Sequence, residues 1–347
     1  MQNEWQQFLS QHGASFDDKN CARFPFSTKE ELNLLDKHCL ISSLDHLGVL
    51  KVTGDDAQTF LQSQLSNDIK LLQDEQGHPL AQISAYCNPK GRILAQFTII
   101  PSAEDYYLIL SKDIIAKTIM RLRMFVLRSQ VMIEDLSENI ALLGVVGNDL
   151  PGIELAENDY GVIQQNDIHA VKIPSASSVR YLLLAPLNDA KSVWQNASDC
   201  TAVSMDVWQW LDIQAGLPNV VSSTIEEFVP QMLNLELING VNFKKGCYPG
   251  QEIVARMHYL GKPKRRMFKL HANADTLPEP GTNLYIHGGD GQSAGIVVNS
   301  QPGPDNGIDL LAVIRLNHAG NEQLRLENRD GPAVSFGELP YSLETTD

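Results

Sequence analysis

A chain of 347 residues is too long for one small core and fits two or three packed domains. Its 43% hydrophobic and 20% charged residues are ordinary globular composition, and no apolar run approaches the roughly 18 residues of a spanning helix. The formal net charge of −15 repels phosphate backbones at long range, which argues against a general nucleic-acid binder.

The first segment, to about Lys37, is polar and reads as loosely structured ahead of a helix that starts at Thr28-Lys29-Glu30-Glu31. Cys39 to Thr53 reads as a pair of strands around Asp45-His46, with Leu40, Ile41, Leu44, Leu47, Val49, Leu50 and Val52 in near alternation. Gly54-Asp55-Asp56-Ala57 is a turn into a helix with Phe60, Leu61 and Leu65 on one face. After the turn Asn88-Pro89-Lys90-Gly91, a strand carries Ile93, Leu94, Phe97, Ile99 and Ile100, and Tyr106 to Leu110 is its hairpin partner. Ile114 to Leu127 has helical apolar spacing at Ile115, Ile119, Leu122 and Val126. Strands followed by a helix that returns to the sheet make a ferredoxin-like pattern. A second unit starts at Ile140 to Gly147, continues through strands at Val171 to Ile173 and Arg180 to Leu184, and enters a helix near Asn188. Beyond about Lys262, short β-like runs separated by Pro and Gly predict a small barrel or sandwich: Met267 to His271, Asn283 to Ile286, Ala294 to Asn299, Leu310 to Leu316 and Gln323 to Leu326.

Five cysteines, at 21, 39, 87, 200 and 247, are odd in number and widely scattered, with no C-x-x-C pair, so neither a disulfide framework nor a self-contained metal site is expected. Nine dispersed histidines offer no hydrolase or zinc-protease spacing, and no phosphate-binding glycine loop occurs. One cysteine stands apart. Cys247 lies in Lys244-Lys245-Gly246-Cys247-Tyr248-Pro249-Gly250-Gln251-Glu252, within an island of eight cations (Lys244, Lys245, Arg256, Lys262, Lys264, Arg265, Arg266, Lys269) that holds one acid, Glu252. Cations favour thiolate over thiol, and the flanking glycines let the backbone approach a partner, so this thiol reads as functional.

The stretch Lys245-Gly246-Cys247-Tyr248 with Gly250-Gln251-Glu252 resembles the signature of the YgfZ family, folate-binding, tRNA-modifying proteins related to the aminomethyltransferase of the glycine cleavage system. The resemblance runs in order from about Leu40 to Leu316. It implies an α+β fold: an aminomethyltransferase-like, split ferredoxin-like folate-binding region over residues 1–261, with its second unit from about 140, and a carboxy-terminal β-barrel over 262–347. It also implies tetrahydrofolate or another reduced folate in a central cavity.

On that resemblance Trp208 would stack on the folate, Tyr86 and Leu47 would line its cavity, and Arg256 would hold its glutamate tail. Two departures bear on the chemistry. Where aminomethyltransferases carry adjacent aspartates this chain has Ala95 and Gln96, so no carboxylate is supplied there. Gln214 stands where relatives commonly have a pterin-binding glutamate.

The resemblance therefore points to a folate-binding accessory protein for iron–sulfur cluster assembly or repair, indirectly supporting tRNA methylthiolation. Its partners would be iron–sulfur enzymes such as the radical-SAM tRNA methylthiotransferase, met without stable nucleic-acid binding and without a membrane. Cys247 would be the working thiol, in transient contact with a cluster, and no resident metal is expected. A folate-dependent aminomethyl transferase and a non-catalytic folate-sensing adaptor stand as alternatives. With no basic region followed by an apolar one at Met1 to Ser10, a cytoplasmic location is expected.

Overall fold

The computed structural model describes residues 3–343 except 36, 104, 149 and 262, so Lys262 of the basic island lies outside the described residues. The architecture is α+β, with three larger sheets. A five-stranded sheet has the order Gln82–Cys87, Ile93–Ser102, Asp105–Ser111, Leu47–Thr53, Met132–Asp135. The expected hairpin is present, Thr98 facing Ile109 and Ser102 facing Asp105.

The chain divides into two compact units. The first comprises the segments up to Phe60, Ile69–Gln82 and Thr98–Trp208. Its six-stranded sheet runs Val162–Gln165, Ile168–Ile173, Arg180–Pro186, Ile140–Val146, Cys39–Ser43, Cys200–Ala202, antiparallel except for the last pair. The sequence reading paired Cys39–Ser43 with Leu47–Thr53, and this is corrected. Leu40 faces Val146 in one sheet, and Leu47 faces Ser111 in the other. Both runs are apolar on two faces, so alternation identifies them as strands without identifying their partners.

A second correction concerns the amino-terminal segment. Helix Glu4–Gln11 forms there, capped reciprocally by Asn3 and Gln6, and buries Trp5, Phe8 and Leu9 at i, i+3, i+4 spacing. These residues join Ile41, Leu143, Val145, Val193 and Trp194 in the first unit's core. A third concerns the cysteines. Cys39 and Cys200 sit directly opposite on neighbouring parallel strands, with Cα atoms 4.4 Å apart, and form a disulfide across a sequence separation of 161.

The second unit comprises Leu61–Asp68, Ile83–Phe97 and the chain from Gln209 onward. Its six-stranded antiparallel sheet has the order Leu324–Leu326, Asn283–Ile286, Gly295–Pro302, Ile308–Arg315, Arg265–Ala272, Val334–Gly337. An isolated bridge between Arg325 and Ala333 nearly closes it into a barrel. Leu270, Leu284, Val297, Leu310, Ala312 and Leu326 fill its interior. Alternating strands with Pro and Gly between them fold this way because a closed sheet leaves few unpaired edges.

Candidate functional site

The cysteine motif lies wholly in the second unit, in an irregular segment that leads into helix Gln251–Tyr259. Lys245 anchors it. The Nζ donates to the carbonyl oxygens of Gln62 (2.8 Å), Leu65 (2.5 Å) and Asn67 (2.8 Å), and lies 5.3 Å from the Tyr248 ring centroid. Burial pulls this ammonium down to about 8, against the opposing pull of Asp68. Tyr248 is buried as well, and that burial raises its phenol. Cys247, between these two anchors, is exposed, and the neighbouring Gly246 has open space where a Cβ would project. The cation expected to serve the thiol thus serves the backbone instead. Lys245 fixes the segment, and Cys247 is held out to solvent.

Gly250 makes the other half of the mounting. Its φ of +81° suits glycine, and a Cβ there would lie 2.5 Å from the Asn88 carbonyl oxygen and 2.7 Å from the Gly91 backbone. The turn Asn88-Pro89-Lys90-Gly91 can therefore press directly on the start of the helix. Gln251 Nε2 donates to the Lys245 carbonyl at 3.4 Å, and Gln231 Nε2 donates to that of Val254 at 2.7 Å. At the far end, Phe243 stacks on His258 with centroids 3.8 Å apart, which ties the entry to the motif to the helix that leaves it. Glu252 and Arg256 are exposed on that helix.

The structure distributes the other candidate residues unevenly. Tyr86 is near the motif, its backbone bridged to Leu65, whose carbonyl receives Lys245. Ala95 is fully buried, while Gln96 donates Nε2 to the Pro218 carbonyl at 2.8 Å and leaves Oε1 without a partner among the described residues. Gln214 has both ends of its amide engaged, Nε2 donating to Asp309 (3.1 Å) and Oε1 accepting from Lys269 (3.1 Å). Asp309 also accepts from Trp210 Nε1 at 2.8 Å and pairs with His271 at 2.8 Å. A glutamate at 214 would set a second carboxylate against Asp309, so an amide is the residue this network takes.

Trp208 and Leu47 belong to the first unit. The Trp208 indole is 4% exposed, with the Arg180 guanidinium 4.6 Å from its ring centroid, and a Cβ at Gly144 would come within 2.6 Å of it. Leu47 lines a cavity of about 430 Å³ in that unit, together with Trp5, Asp45, Lys112 and Glu138. Among the described residues, no group of three or more His, Cys, Asp or Glu side chains is placed to hold a metal ion. Sequence reasoning missed the carbonyl cage of Lys245 and the Asp309 network, since backbone oxygens carry no residue signature and Asp309 lies far along the chain.

Comparison with known proteins bears on the family and the fold. Residues 6–150 match the model of the GCVT N-terminal domain. The tRNA-modifying protein YgfZ of Hamiltonella defensa is 30% identical over 283 residues, covering 79% of this chain and 82% of that protein. YgfZ of Yersinia enterocolitica is 28% identical over 327 residues, 92% and 97% of the two chains. Among solved structures, the glycine cleavage system aminomethyltransferase T of Bartonella henselae superposes with a TM-score of 0.78 at 19% identity, over 96% of each chain, and so shares the fold.

Proposed function

Since the chain belongs to the YgfZ family, we propose that it is a folate-binding protein of tRNA modification that supports iron–sulfur enzymes through the thiol of Cys247. The observation that carries this reading is the mounting of that thiol: Lys245 and Tyr248 are buried on either side of it, and Cys247 is exposed between them. A cysteine kept only for packing would be buried, as Cys21 and Cys87 are. In its role the Cys247 thiolate engages cluster iron transiently or exchanges with a client's mixed disulfide, one S–S bond forming as another breaks and the displaced sulfur leaving as thiolate. The cluster is the client's cargo. The client is a radical-SAM tRNA methylthiotransferase, met as a protein, since a chain of net charge −15 is repelled by the tRNA backbone.

Reduced folate, when bound, supplies a carrier for one-carbon units. The residues fit such a ligand in one checkable respect: Gln96 Oε1 is a buried acceptor with no partner among the described residues, and pterins carry N–H donors. Arg256, exposed on its helix, would take the carboxylates of the tail. Aminomethyl transfer is disfavoured on this chain because Ala95 and Gln96 supply no carboxylate to act as acid or base.

Two measurements test the reading. Anaerobic calorimetry with tetrahydrofolate should give saturable binding to the native protein and weaker binding to Gln96→Leu; no binding to folded native protein sinks the cofactor assignment. In cells that lack the native copy, Cys247→Ser should retain folate binding yet lower tRNA methylthiolation. Full complementation by that variant would leave a folate-sensing adaptor as the better reading.

A further inference from the structure

Helix Ile115–Val126, in the first unit, buries Ile115, Thr118 and Leu122 and carries no acid at all, only Lys117, Arg121 and Arg123, with Arg128 just beyond. Its outer side is not an ordinary solvated face. Met120 is 62% exposed, Met124 59% and Phe125 47%, and Leu127 follows at 86%. Met120 and Met124, at i, i+4, share one face with Phe125 and Leu127 at its carboxy-terminal end, and exposed apolar side chains of this size so close together mark a contact surface more often than chance exposure. Leu127 also has φ +47°, a backbone conformation that glycine adopts readily and leucine does not, and it is held there with its side chain in solvent. Beside it is a groove of about 700 Å³ lined by Asp56, Thr59, Phe125, Leu127 and Arg128.

We infer that this face is a docking site for an acidic amphipathic segment of another protein, whose apolar side chain enters the groove beside Leu127 while its carboxylates meet Lys117 and Arg128. Charge selects the occupant. On a chain of net charge −15 this helix is purely cationic, so an acidic segment is attracted locally while a wide anionic bilayer meets the repulsion of the whole molecule. The interleaved methionines fit the same occupant, because flexible thioether chains mould around an apolar anchor. A nucleic-acid strand would gain little from Met120 and Met124, which offer no flat ring for a base to stack on. The inference is independent of Cys247 and of any folate.

The test is fluorescence anisotropy with a labelled amphipathic peptide bearing Leu and Phe on one face and Glu on the other, run against its Lys-for-Glu counterpart, phosphatidylglycerol vesicles and a tRNA transcript. The acidic peptide should bind saturably, its counterpart should not, and Arg128→Glu should weaken the interaction. The discriminating variant is Leu127→Gly. Glycine suits φ +47°, so the fold should hold or gain stability while affinity falls by at least about tenfold, the share of one buried leucine. Equal binding by Leu127→Gly, or no peptide binding by the native protein, overturns the inference. So does binding of vesicles or tRNA that disappears in Leu127→Gly, since it would assign the face to a membrane or to RNA.

Discussion

Replacing Lys245 by Met tests whether this lysine is the anchor of the cysteine segment. The substitution keeps the length of the side chain and leaves the carbonyls of Gln62, Leu65 and Asn67 without their donor. The carbonyls of Leu65 and Asn67 are buried, and each buried acceptor left unpaired costs about 1–3 kcal/mol, so these two cost roughly 2–6 kcal/mol, with a smaller share from the part-buried Gln62 contact. Against this, Met carries no charge to desolvate. The depression of the ammonium from 10.5 to about 8 corresponds to a penalty of roughly 3 kcal/mol that the substitution removes. The orphaned carbonyls outweigh that relief, and the expected net loss is about 2 kcal/mol at pH 7. The pH dependence gives a sharper check. Below pH 8 both states hold the proton and the penalty is constant. Between about 8 and 10.5 the folded state has released it while the unfolded state still binds it, so native stability rises with pH through that window. The gap between native protein and variant should therefore widen by roughly 2 kcal/mol from pH 7 to pH 9.5. Denaturant titrations at the two pH values, followed by circular dichroism, measure both. A gap below about 1 kcal/mol at pH 7, or one that narrows as pH rises, refutes the anchoring argument.

Three further outcomes follow from the same geometry. Cys39→Ser should lower stability by up to about 5 kcal/mol, the loop-entropy value for so long a closure, and native protein in excess dithiothreitol should melt like the variant; a melt indifferent to both changes would disprove the bond. Gly250→Ala should cost more than about 2 kcal/mol because its Cβ meets Asn88 and its φ is left-handed, whereas Gly246→Ala, projecting into open space, should cost less than about 0.5 kcal/mol; equal thermal shifts would contradict the assigned roles. Ellman's reagent at pH 8 should titrate one thiol rapidly in the native protein and none in Cys247→Ser, because burial pushes Cys21 and Cys87 up to about 12; a second fast thiol would contradict this.

What could be read from the residues and what could not divide along a physical line. Five of the six barrel strands were legible because Pro and Gly punctuate them and their alternation is local, and Asn88 to Gly91 was legible as a turn for the same reason, whereas Val334–Gly337, a four-residue strand, was not read. Helix Glu4–Gln11 escaped notice because three apolar residues in an otherwise polar octet make a faint stripe, and only the core it joins gives that stripe meaning. The Cys39–Cys200 pair was hidden by distance along the chain. Nothing in either neighbourhood says that two residues 161 positions apart will face one another.

The site shows the same division more finely. Cys247 was conspicuous for its setting of cations and glycines, yet the structure reassigns the nearest cation. Lys245 is a donor with backbone partners about 180 residues upstream, an interaction that leaves no trace in side-chain pattern. Gln214 makes the complementary case. In the sequence it stood only as a departure from a pterin-binding glutamate, but Asp309 and Lys269 supply a reason for an amide, one that needs both a donor and an acceptor at that place. A substitution at a binding position therefore has two possible origins, a changed ligand or a changed neighbour, and here the neighbour accounts for the residue. Gln96 is the opposite case. One end of its amide is held by Pro218 and the other has no partner among the described residues, so no neighbour there accounts for its acceptor, and of the two glutamines it is the one whose chemistry still points to a ligand.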